Sequence, residues 1–389
     1  LAGLMVGENI DSGLSRHRIR ASLRAGAVNA FDLNAALVDT AFVYQSGALS
    51  VDHLEIGDLA GAAITLSGQA RTDRDLPSGS GRLTFSAEDL SGFVATLQKR
   101  FGAHPFLSML AENAAWYRNA EAEADLAFGQ DGTAVSAVFS GSANGSRISG
   151  SWRRDSVLGP GGVSGQVQLS NPDTAIVFGQ AGLAPLPIPA PAGAQLSLSI
   201  ERSGGEGPVA VGLRAASGET RFTASGEASL EAGDFLAGRY SLSLASPDLE
   251  PYLAMNALAV PGTAFGMPLS VKASLDVTPE QFALSAIEGD LDGNGVTGRL
   301  ALRRGEPVVR LDGALSLDRL DLAWLMEAVF GPNFVLGPEG LPDTPFGTAY
   351  FGTAEADIDV QAAAFDAGLP EPVTGMSGNG NVVVSLAEG

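Results

Sequence analysis

Gly298-Arg-Leu-Ala-Leu-Arg303 and Val309-Arg-Leu-Asp-Gly-Ala-Leu-Ser-Leu317 alternate apolar and polar residues. Gly298, Leu300, Leu302, Val309, Leu311, Gly313, Leu315 and Leu317 fall on one face, and Arg299, Arg303, Arg310, Asp312 and Ser316 fall on the other. A period of two with one wet face marks antiparallel β-sheet. The same split separates Val271, Leu275 and Val277 from Lys272, Ser274 and Asp276. It also separates Phe222 and Ala224 from Arg221 and Thr223, and Leu83 and Phe85 from Arg82 and Thr84.

Working outward, the pattern repeats. Gly81 to Asp89, Gly165 to Asp173 and Gly313 to Asp321 each run glycine, alternating strand, aspartate, and Gly238 to Asp248 is the same with two residues inserted. Upstream strands carry Gly68, Gly150, Gly226 and Gly298 on the apolar face, a placement that predicts bends or close backbone approach at matching points. After each aspartate the period turns helical, at Leu90 to Arg100, Thr174 to Leu183, Leu249 to Leu258 and Leu322 to Phe330, so the aspartates are expected as N-caps. Pro- and Gly-rich linkers follow, around Pro185 to Pro191, Pro261 and Gly331 to Pro345. New strands then open at Glu121, Gln195, Leu269 and Thr348. Residues 1–118 are read as a partial repeat plus the first full one, followed by repeats at 119–193, 194–266 and 267–345, with 346–389 starting another. The expected fold is mainly β: an elongated array of antiparallel repeats forming a curved, trough-like sheet with an apolar inner face and one short helix per repeat. Neighbouring repeats are expected to pair edge to edge.

Five strands at about 4.8 Å spacing make a sheet about 24 Å wide, and six-residue strands make it about 20 Å long. One ten-residue helix covers about 10 by 15 Å of that face, roughly a third. The remainder must close on a second sheet, roll on itself or hold something apolar that is not this chain.

The chain of 389 residues has 44 acidic against 23 basic residues, a net charge of −21, which sets aside nucleic-acid binding. Without cysteine it has no disulfide, thiolate metal site or thiol catalysis. No stretch reaches the roughly 18–20 apolar residues of a bilayer span, and Leu1 to Val6 is too short for a signal peptide. The strand-like end at Asn381 to Leu386 reads as a piece of something longer. Asp290-Leu-Asp-Gly-Asn-Gly295 resembles a calcium loop but has Ala301 where a glutamate is needed, so a tight hairpin is expected there. Gly293 to Gly298 matches a dinucleotide glycine pattern, yet a strand follows where a helix is required. His17, His53 and His104 are far apart, and no catalytic or metal-binding residue, cofactor or enzyme activity is expected. Trp324 is expected to pack on the sheet, and Arg16, Arg18, Arg20 and Arg24 to form one solvated strand face.

Glu288 to Leu302 followed by Val309 to Leu322 resembles the AsmA family of bacterial envelope proteins, and Gly68 to Leu90, Gly150 to Asp173 and Gly226 to Leu249 look like further copies. Leu49 to Gly61 extends the likeness. The resemblance implies a periplasmic repeat region, tethered to the inner membrane by a segment outside this chain. It also implies phospholipid acyl chains as the partner, with roles in moving phospholipid toward the outer membrane or in working with outer-membrane assembly proteins. The groove residues expected to line the trough are Leu83, Phe85, Val167, Leu169, Val211, Leu213, Phe222, Leu242, Leu275, Leu284, Leu300, Leu302, Leu311, Leu315 and Leu317. The competing expectation is a non-transporting structural or assembly protein of the envelope with closed sandwich cores.

Overall fold

The computed structural model describes residues 18–30, 33–71, 78–102, 104–129, 134–156, 161–188, 192–258, 266–303, 310–330, 355–366 and 377–386. The protein is mainly β, its strands mostly antiparallel and not closed into a barrel, with a few short helices. Its residues group into two units, 1–171 with 179–182 and 198–207, and 172–178 with 183–197 and 208–389.

In the first unit, β1 (Arg18–Ala30), β2 (Leu33–Gln45), β3 (Ala48–Leu59), β4 (Ala62–Arg71) and β5 (Ser78–Ala87) form an antiparallel meander. Helices α1 (Ser91–Phe101) and α2 (Pro105–Glu112) and a 3-10 turn at Ala114–Tyr117 follow. The meander resumes with β6 (Ala120–Phe128), β7 (Val135–Ala143), β8 (Ser146–Arg154) and β9 (Val163–Asn171). Helix α3 (Thr174–Gln180) and β10 (Ala194–Arg202) contribute residues to both units.

The second unit holds β11 (Val209–Ser217), β12 (Thr220–Ala228), β13 (Gly238–Ser246), α4 (Glu250–Met255), β14 (Leu269–Val277), β15 (Gln281–Leu291), β16 (Asn294–Arg303), β17 (Arg310–Asp321), α5 (Leu322–Phe330), β18 (Glu355–Asp366) and β19 (Ser377–Leu386). Strands β13 and β14 pair directly, from Gly238 with Val277 to Ser246 with Leu269, across the linker that contains Pro261. The residues around Pro261 and Pro342, and the expected strand residues 348–354, lie outside the described residues.

All four aspartates accept a backbone N–H at the start of a helix. Asp89 receives Ser91 at 2.7 Å, Asp173 receives Ala175 at 2.9 Å, Asp248 receives Glu250 at 3.0 Å and Asp321 receives Trp324 at 3.1 Å. Each carboxylate satisfies an N–H that the first turn leaves without a helical partner. Asp173 and Asp321 stand directly before their helices, whereas Leu90 and Leu249 occupy the N-cap positions after Asp89 and Asp248, so those two aspartates act from one residue further out than expected.

Three features depart from expectation. The first repeat carries two helices and a 3-10 turn instead of one helix, because Gly102 ends α1 and His104 with Pro105 starts a new helix at once. Strands β17 and β18 run parallel, from Arg310 opposite Glu355 to Asp321 opposite Asp366. In β15 a bulge between Leu284 and Ile287, with Ala286 at φ 48°, shifts the alternation by one residue. The Asp292-Gly293 hairpin is present, both residues having positive φ as a two-residue turn between twisted strands requires.

Candidate functional site: an apolar face

Cross-strand register converts the alternation along each strand into rows running from strand to strand. In the first unit one row reads Leu54, Leu66, Leu83, Ala124, Phe139, Gly150, Val167, and the next reads Ile56, Ile64, Phe85, Ala122, Gly141, Ile148, Leu169. All four groove residues expected in that unit therefore share one face.

In the second unit the longest row is Val211, Gly226, Tyr240, Leu275, Leu284, Leu300, Gly313, Ile358. Beside it lie Leu213, Ala224, Leu242 and Ala273. A further row joins Phe222, Leu244, Val271, Gly289, Val296, Leu317 and Ala362. Leu302 stands between Phe282 and Leu311, and Leu315 between Gly298 and Val360. The other eleven groove residues thus also fall on one face, and the β15 bulge keeps Leu284 and Ile287 on the same side.

Of the fifteen groove residues only Leu169 is buried, at 8% exposure, and the rest are half-buried. The largest fully buried side chains are Met255, Val177, Val209, Thr174 and Ser146, three in helices and two at strand starts. The helices explain this distribution. Phe93 of α1 packs on Phe85 with ring centroids 5.0 Å apart, and Leu325 of α5 joins Leu317 against the buried Leu320, Val360 and Ala362. Helices α1 and α5 begin where β5 and β17 end and so cover the face at those strand ends.

The expected close approach is found at all four repeat glycines. A Cβ on Gly68, Gly150, Gly226 or Gly298 would collide with the backbone carbonyl of Ser80, Gln166, Arg239 or Ala314 respectively. In every case that carbonyl belongs to the residue preceding the glycine's cross-strand partner. The same close approach recurs at all four, and at Gly298 it is joined by a positive φ of 149°.

The opposite face is charged and paired. Arg82 meets Asp125 at 2.9 Å and Glu123 at 3.0 Å, Arg239 meets Asp276 at 3.3 Å, and Arg310 meets Glu355 at 2.6 Å. These exposed pairs add little stability but fix which side faces water. Between β1 and β2, Arg24 meets Asp39 at 2.5 Å. Arg16 lies outside the described residues, whereas Arg18, Arg20 and Arg24 are exposed.

The buried polar groups serve the helix ends. Gln180 donates to the carbonyls of Trp116 at 2.9 Å and Ala143 at 3.1 Å and accepts from Ser146 at 2.6 Å, while Asn171 donates to Ser146 at 2.8 Å. The Tyr117 hydroxyl donates to the Gln180 carbonyl at 2.5 Å, and burial pushes its phenol up to about 12, so it stays protonated. Asp290 accepts the Gly293 N–H at 2.9 Å and so organises the hairpin. His104 accepts the Phe106 N–H at 3.2 Å, His53 lies 3.3 Å from Asp39, and His17 is outside the described residues. Among the described residues no group of three potential metal ligands comes together.

Sequence reasoning left out Leu54, Ile56, Ile64, Leu66, Phe139, Ile148 and Ile358, which share these rows. It also left out Trp152, opposite Ala137 and Gly165 on the same face and 37% exposed. Its two-residue offset from Gly150 carried that signal. Trp324 is half-buried on α5. No family profile, curated protein or solved structure matches the chain.

Proposed function

We propose that the chain is a lipid-handling scaffold or conduit of the bacterial periplasm, tethered to the inner membrane by a segment outside this chain. Its apolar face takes up phospholipid acyl chains and passes them toward the outer membrane or supports outer-membrane assembly. The observation that carries this reading is a face whose apolar rows continue across strands while their large side chains stay half-exposed. A dry sandwich would bury those side chains, so the half-exposure weighs against closed cores. The compartment and the direction rest on the resemblance of the repeat residues to the AsmA family alone.

Magnitudes fit a tail lying across the strands. The row from β11 to β18 spans about 34 Å at 4.8 Å per strand. One acyl chain needs about 15 Å, half the hydrocarbon thickness of a bilayer. Each methylene moved from water onto the face gains about 0.8 kcal/mol when fully covered, so a tail seated there is held without any polar contact.

A photo-crosslinking residue at Leu300 should capture phospholipid in membranes, and one at the neighbouring Arg299 should not. Equal capture at both positions, or none at either, would defeat the reading.

A further inference from the structure

The pair α1 and α2 has no counterpart in the other repeats among the described residues, where α3, α4 and α5 stand singly. The segment also lacks acidic residues, as residues 12–31 do. Between Asp89 and Glu112 there is no acidic residue, in a chain of net charge −21, and Lys99 is one of only two lysines.

Helix α1 directs its inner side to the sheet, with Phe93 on Phe85 and Val94 2% exposed. Its far end is built differently. Gly102, at φ 89°, closes the helix by donating its N–H to the Gln98 carbonyl at 2.9 Å. His104 then accepts the Phe106 N–H at 3.2 Å and, with Pro105 next, starts α2. Gln98 donates to Ser108 at 3.4 Å and ties the two helices together. Phe101 ends α1 and Phe106 lies in the first turn of α2, and they are 73% and 48% exposed. Lys99 and Arg100 in the last turn of α1 are exposed as well, and the Arg100 guanidinium lies 5.6 Å from the centre of the Phe101 ring.

Cations in a last turn offset the helix dipole, and single exposed apolar residues are ordinary. Neither accounts for two exposed phenylalanines beside the cations, with acidic residues excluded from the whole segment. Aromatic rings flanked by basic residues suit the boundary between lipid headgroups and tails.

We propose that the end of α1 and the start of α2 dock on an anionic membrane surface through Phe101 and Phe106, the two rings entering the interface and Lys99 with Arg100 meeting lipid phosphates. The rest of the chain carries the opposite sign. Charges more than about 8–10 Å from the surface are largely screened at physiological salt, so Lys99 and Arg100 act locally beside the two rings despite the acidity of the chain as a whole. The proposal uses none of the groove residues except the Phe85 contact that seats α1, and it holds whether or not the groove carries lipid.

The test is co-sedimentation of the whole chain with vesicles of mixed phosphatidylglycerol and phosphatidylcholine, beside vesicles of phosphatidylcholine alone. Binding should favour the anionic vesicles and weaken as salt rises. Lys99→Gln with Arg100→Gln should weaken it about thirtyfold, the effect of two basic residues near an anionic leaflet. Phe101→Ser with Phe106→Ser should weaken binding to both kinds of vesicle, whereas Leu236→Ser, another exposed apolar position, should leave it unchanged. Unaltered circular dichroism will show that the variants fold. Failure of the unmodified chain to bind, or equal binding by all variants, overturns the proposal and leaves the junction of α1 and α2 to a protein partner.

Discussion

Asp248 accepts the backbone N–H of Met267 at 3.1 Å while also accepting, at 3.0 Å, the N–H of Glu250 that opens α4. A single half-buried carboxylate thus starts the helix and fastens the chain where it returns toward β14. Asp321 has the capping bond to Trp324. Asp321→Ala should therefore cost about 1 kcal/mol, and Asp248→Ala about 2 kcal/mol because a second backbone donor loses its acceptor. Urea unfolding of both variants measures the difference. A loss of only about 1 kcal/mol in Asp248→Ala would show that the Met267 bond contributes nothing.

Gly226→Ala drives a methyl group into the Arg239 carbonyl, and the strand must move to admit it. A loss of about 1–3 kcal/mol is expected, the range for forced overpacking. Gly204→Ala, with open space around the new atom, should change the melting temperature little.

Leu315→Asp places a charge on the apolar face between Gly298 and Val360, and an unpaired carboxylate against hydrocarbon is strongly unfavourable. Lipid retained by the purified protein, read by native mass spectrometry, should fall sharply in this variant and stay unchanged in Ser316→Asp on the exposed face. Equal occupancy in two folded variants would remove the conduit. Loss of folding in Leu315→Asp alone would point to a dry core.

The Arg24 guanidinium, and after it His53, hold the Asp39 carboxyl below its ordinary value of 3.8. A depressed carboxylate stabilises the fold fully above the unfolded value, and that contribution is lost as pH falls through the native value. The melting-temperature advantage of the parent over Asp39→Asn should thus be constant near neutrality and shrink once the pH drops below 3.8. Arg24→Gln should remove most of it. A gap that persists in acid would assign the effect to packing of β1 on β2.

Capping and alternation could be read from the sequence because both are local. A carboxylate chooses its N–H within three residues, and a strand sorts its faces two residues at a time. That is why Asp89, Asp173, Asp248 and Asp321 marked helix starts and why the fifteen groove residues share faces. Ala286 carried no such mark. It is a non-glycine residue at positive φ, and the bulge it makes is seen only when β15 is set against β16. The parallel β17–β18 pair depends on where a long connection returns, which no short pattern encodes. Helix α2 is marked in the sequence by Pro105, a start signal that serves a linker equally well.

Within each unit almost every strand pairs with the strands immediately before and after it in the chain. Contacts of short sequence separation close small loops, so a hairpin can form anywhere and recruit its neighbour without waiting for a distant partner. Such an assembly gains or loses four strands and a helix without disturbing the pairing that remains. Gene duplication can therefore set the reach of the apolar rows as a count of modules, with the glycine and the capping aspartate copied along in each.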